Sequence, residues 1–82
     1  MTKIQFFGRL QDQFGRELEI ELPKGGCTVR RLRLFLSEYA PTPNDALLHR
    51  SVNACVDGTV VWDDAVVRHG QEIAFMPPLS GG

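Results

Sequence analysis

The chain lacks a basic surplus, a long apolar run and any cysteine pair at metal-binding spacing, and each absence removes a class of function. Nine Lys and Arg against ten Asp and Glu leave a formal net charge of -1. That balance argues against a general affinity for nucleic acid, whose phosphates call for basic excess. No apolar stretch approaches the roughly 20 residues of a membrane span. Met1-Thr2-Lys3 leads directly into a strand-like pattern, without the apolar h-region of a secretory signal. A cytoplasmic address without a membrane partner is the expectation. The two cysteines, Cys27 and Cys55, are far apart, and His49 and His69 complete no zinc pattern with them. Reduced thiols and no metal are expected. No glycine-rich loop ends in the Lys-Ser/Thr of a phosphate cradle. Cys27 precedes a helix start, where a thiolate is favoured, yet no His or Asp stands at a spacing to serve it as a base. Asp63 and Asp64 are consecutive and read as solvated carboxylates. Arg30, Arg31 and Arg33 read as a solvated basic face of a helix.

What is present is one domain: 82 residues, 43% of them hydrophobic, enough for a modest core. Lys3 to Phe7 alternates as a first strand, with Ile4 and Phe6 inward and Gln5 and Phe7 outward. After a polar connection containing Gly15, Glu17 to Leu22 alternates again, with Leu18, Ile20 and Leu22 inward, and pairs with the first strand as a hairpin. Thr28 is placed to cap a helix whose apolar stripe is Val29, Leu32, Phe35, Leu36 and Tyr39. Pro41 and Pro43 close it, and residues 40 to 50 form an irregular crossover whose Leu47 and Leu48 return to the core. Ser51 to Val56 and Thr59 to Trp62 form a hairpin about Asp57-Gly58. Residues 63 to 67 are irregular, Arg68-His69-Gly70 turns, and Glu72 to Met76 is the last strand. The order ββαβββ fits a single mixed sheet with one helix on one face, an α+β fold of the β-grasp (ubiquitin-like) type. A right-handed crossover sets its last strand parallel to the first, in the sheet centre.

Two units follow from this reading: residues 1–76 as the β-grasp domain and 77–82 as a tail. Pro77 and Pro78 cannot donate ladder hydrogen bonds, so the strand ends near Met76. The six tail residues reach at most about 20 Å. Gly81 and Gly82 carry no Cβ, so they can pass through a channel as narrow as a backbone. The terminal carboxyl of Gly82 at its tip is an anion at neutral pH, which resists attack unless it is activated.

The stretch Glu72-Ile73-Ala74-Phe75-Met76-Pro77-Pro78-Leu79-Ser80-Gly81-Gly82 closely resembles the C-terminus of the molybdopterin synthase small-subunit (MoaD) family. The likeness continues through Lys3 to Gly8, Val52-Asn53 and the Gly70 turn. The related thiamine-pathway carriers share the glycine pair but usually lack the double proline. The resemblance implies a sulfur carrier, catalytic only within its complex. An adenylating, MoeB-like enzyme using ATP and Mg²⁺ would activate Gly82, which becomes a thiocarboxylate. A large, MoaE-like synthase subunit would then receive the tail, so that sulfur reaches the cyclic pyranopterin precursor and builds the dithiolene. No cofactor is expected on this chain itself, and a heterotetramer with two large subunits is implied. Carriers for thiamine, cysteine or tRNA thiolation, a protein modifier conjugated through Gly82, and a noncatalytic binding module are the alternative readings.

Docking requires a surface beside the tail. Alternation turns Phe7 and Met76 away from the helix, Val60 extends the same apolar patch, and Leu79 of the tail, with Ser80 after it, would fill a partner groove.

Overall fold

The computed structural model describes residues 1–40, 46–49 and 51–77. β1 (Thr2–Phe6) has the alternating burial expected of a half-covered strand, with Ile4 and Phe6 inward. It begins one residue earlier than the sequence pattern indicates and leaves Phe7 just beyond its end. β2 (Glu17–Ile20) pairs with it antiparallel, Ile4 opposite Leu18. It stops short of Leu22, which is nevertheless buried.

The connection between them is a helix rather than a polar loop. In α1 (Leu10–Phe14) the i, i+4 pair Leu10 and Phe14 turns onto the core, and the Phe14 ring stacks on Phe6 with centroids 4.5 Å apart. Five residues cannot hold a helix by propensity; packing holds this one, and Gly15 N–H donates to Gln11 O to end it.

α2 (Val29–Tyr39) is capped as expected: the Thr28 hydroxyl accepts from Arg31 N–H at 3.2 Å. Its inward face is Val29, Leu32, Arg33, Leu36 and Ser37. Phe35 and Tyr39 of the expected stripe are instead 50% and 59% exposed. The helix is turned toward its 33/37 flank because Arg33 is tied inside. Its guanidinium donates to Leu47 O (2.7 Å), Val52 O (2.6 Å) and Asp63 Oδ1 (3.0 Å), and lies 5.4 Å over the Phe75 ring. Arg33 is therefore corrected from a solvated charge to a buried clamp, and Asp63, itself half exposed, is its ion-pair partner rather than a free carboxylate, while Arg30, Arg31 and Asp64 face solvent. Pro41 and Pro43 lie outside the described residues. A 3₁₀ turn (Ala46–Leu48) buries Leu47 completely but leaves Leu48 41% exposed, so only one of the two leucines returns to the core.

β4 (Asn53–Val56) and β5 (Thr59–Val61) join through Asp57 and Gly58, at φ 51° and 84°, the paired positive values of a primed hairpin turn. The segment expected to be irregular contains β6 (Val66–Val67), which pairs with β3 (Cys27–Thr28) as a small second sheet. β7 (Ile73–Met76) runs parallel to β1 and antiparallel to β4, so the main sheet has the order β2-β1-β7-β4-β5. The α+β, β-grasp architecture read from the sequence is the one observed. Phe6, Phe75, Ile4, Ile73, Leu32, Leu36 and Leu47 fill the space between sheet and α2 at 1% exposure or less.

Candidate functional site: the tail root and the outer face of the sheet

β7 is the middle strand, held on both edges, and it ends in the peptide that carries the proposed chemistry. Phe7 N–H donates to Phe75 O at 3.2 Å, extending the β1–β7 ladder to the last turn of the strand. Pro77 is half-buried and lies against Gly8, whose φ is +60°. A Cβ on Gly8 would stand 2.7 Å from Pro77 Cγ, so the absence of a side chain there makes the seat on which the first tail residue rests. Leu79, Ser80, Gly81 and Gly82 lie outside the described residues.

The sheet face away from α2 divides in two. On β1 and β2 it is polar: Lys3 and Gln5 stand opposite Glu19 and Glu17, and Lys3 Nζ approaches Glu17 Oε2 at 3.5 Å. On β7, β4 and β5 it is mostly apolar. Ala74 is opposite Cys55, and Cys55 opposite Val60, while Met76 is opposite Asn53. Phe7 (44% exposed) and Val60 (49%) stand out from this half, Met76 is half-buried, and Cys55 is covered by its neighbours. The structure thus gathers Phe7, Val60 and Met76 on one face, bordering the tail root. The sequence reading missed a fourth candidate, Trp62, the most exposed large apolar residue among those described, at 76%. Continuing the alternation past Val60 (out) and Val61 (in) was the signal that could have found it.

The remaining candidates have local roles. The Cys27 thiol lines a depression of about 420 Å³ with Ile20, Leu22, Arg31 and Phe35, at the far end of the sheet from the tail root. Burial pushes its pKa up and Arg31 only partly opposes this, which is the reverse of what a nucleophile needs. His49 Nδ1 is 2.6 Å from Ser51 Oγ, and His69 Nδ1 is 3.3 Å from the buried Thr2 hydroxyl. Among the described residues no three His, Cys, Asp or Glu side chains assemble to hold a metal ion, and no helix is long and apolar enough to cross a membrane.

A five-stranded mixed sheet with α2 packed on one face, its central strand ending at Met76 beside an apolar outer surface, defines a ubiquitin-like protein of the β-grasp type. The chain belongs to the ThiS family, whose model matches residues 4–82. It is 30% identical over 82 residues to the molybdopterin synthase sulfur carrier subunit of Escherichia coli K12, covering all of both chains. With the subunit of the same name from Arabidopsis thaliana it shares 27% identity, over 98% of this chain and 81% of that one. Among solved structures it resembles molybdopterin converting factor subunit 1 from Pyrococcus furiosus at TM-score 0.76 and 26% identity, over 95% of this chain and 97% of that one. Small archaeal modifier protein 1 of H. volcanii matches at TM-score 0.76 and 21% identity over 95% and 97% of the two chains, a likeness of fold alone.

Proposed function

We propose that this chain is the sulfur-carrier subunit of a molybdopterin synthase, and that Gly82 carries the sulfur. The observation that bears most weight is the full-length similarity to the Escherichia coli sulfur carrier subunit, joined to a Gly81-Gly82 ending that follows the central strand, which stops at Met76. An adenylating enzyme joins the Gly82 carboxylate to AMP, consuming ATP with Mg²⁺ and releasing pyrophosphate. Persulfide sulfur then displaces AMP, and a second thiol takes up the inner sulfur as a disulfide, freeing the thiocarboxylate. In the large synthase subunit that sulfur attacks the pterin precursor, water then hydrolyses the acyl C–S bond so that the sulfur stays on the pterin and Gly82 returns to a carboxylate, and two loaded carriers supply the two dithiolene sulfurs. The chain itself contributes the acyl group, its stiff support and the docking face of Phe7, Val60 and Met76, with Leu79 filling a groove on the partner. Nucleotide, metal and pterin sites belong to the partners.

The test is conversion of the pyranopterin precursor by thiocarboxylated protein mixed with its cognate large subunit. Product should form with the intact chain and vanish on deletion of Gly82, while the thermal unfolding curve stays unchanged. Full activity without Gly82, or Gly82–lysine conjugates in cells in place of an oxygen-to-sulfur exchange at the terminus, would overturn the reading.

A further inference from the structure

We propose that Trp62 is the outer anchor of the docking face and seats in an apolar pocket of the large synthase subunit. This deepens the sulfur-carrier reading and rests on it. Only five residues follow Pro77, a reach of at most about 17 Å. The partner surface that receives Gly82 therefore stands close over the tail root. On the inner side the sheet is covered by α2, and on the outer side the β1–β2 half is polar. The apolar half, starting at Phe7 and Met76, is the flank on which a partner can settle without desolvating charge.

Trp62 lies within that footprint. Met76 is opposite Asn53, and Ala54 is opposite Val61, the last residue of β5; continuing that register by one residue sets Trp62 level with Asn53, two strand spacings or about 10 Å from Met76. A standard interface of about 800 Å² per partner is roughly 30 Å across, so a partner centred on the tail root covers Trp62. A single exposed hydrophobic residue is ordinary on a protein surface. This one continues a line of apolar side chains through Val60 to the tail, and tryptophan is the side chain most enriched among residues that dominate binding energy.

Trp62 is the only tryptophan in the chain, so the protein carries its own probe. Fluorotryptophan incorporated into the full chain gives one fluorine NMR resonance, to be followed during titration with unlabelled cognate large subunit, with calorimetry measuring affinity in parallel. A saturable shift to a desolvated environment is expected. Trp62→Ala should weaken binding about 30-fold, Trp62→Phe should recover most of the loss, and Phe35→Ala, exposed on the helix side, should change nothing. Because Trp62 is three-quarters exposed, the Ala variant should melt where the parent does. Tight binding with an unmoved resonance and Trp62→Ala within two-fold of the parent overturns the anchor and leaves the carrier function standing. A concentration-dependent shift without the large subunit assigns the face to a second copy and likewise overturns it. Failure of the intact chain to bind the large subunit at all removes the carrier reading, and the anchor with it.

Discussion

Replacing Arg33 by alanine should come close to unfolding the domain, and the geometry sets the size of the effect. The guanidinium satisfies two buried carbonyls, Leu47 O and Val52 O. Leaving a buried acceptor without a partner costs about 1–3 kcal/mol. The stacking over Phe75, 5.4 Å away and out of water, adds about 1–2 kcal/mol, and the lost aliphatic stem adds packing. Asp63 contributes less, because its side chain is 52% exposed and the pair is screened on that side. The expected loss is on the order of 4 kcal/mol, against a total of roughly 5–15 kcal/mol for a small domain. Arg33→Lys keeps the charge and the stem but cannot direct planar donors at three acceptors, and should cost about 2 kcal/mol. Asp63→Ala should cost under about 1 kcal/mol. Urea unfolding of the three variants at constant m-value measures the order. The clamp would be refuted by Arg33→Ala lying within about 0.5 kcal/mol of the parent, or by Asp63→Ala costing as much as Arg33→Ala.

Phe14→Ala should cost about 3 kcal/mol and release amide protection across residues 10–14, because stacking on Phe6 is what holds α1; hydrogen exchange reads both. Gly26 has φ +89°, and a Cβ there would collide with the backbone oxygen of Val67, whereas Gly15, also at positive φ, has open space around it. Gly26→Ala should therefore destabilise by more than Gly15→Ala, where backbone strain alone costs roughly 1–3 kcal/mol, as thermal melts would show. Burial holds the Cys27 thiol in its protonated form, so alkylation should be slower than for a free thiol and should rise only at more alkaline pH, with Arg31→Ala slowing it further. Because the folded-state pKa is raised, the stability linked to this thiol is complete below the unfolded pKa and is lost as pH climbs through the folded value. Buried Cys55 should label only on unfolding.

The alternating strands, the Thr28 cap and the Asp57-Gly58 turn were legible because each is a local pattern with a local cause. That extends to the parallel β1–β7 pairing, which follows once the order of elements is known. What escaped notice depends on partners far along the chain. α1 shows two apolar residues in five, too few for a period. β3 and β6 are two residues each and exist only by pairing with one another. The turning of α2 toward Arg33 needs Leu47, Val52 and Asp63, none of them near it in sequence. The candidate site divides in the same way. The glycine-tipped terminus is visible as letters, and the outer face follows from alternation as far as Val60. Trp62, the last residue of the expected strand, lies one step further along the same alternation, while the degree of its exposure, 76%, is a property of the folded sheet.

The parallel pairing of β1 with β7 also governs how the protein is made. The first strand off the ribosome waits for the last, so the sheet cannot close until Ile73 to Met76 have emerged. A nascent chain truncated anywhere before that point lacks its middle strand and stays open to proteases. Closure of the sheet thus certifies that synthesis has passed Met76, and a cell that discards unfolded chains discards those terminated before it.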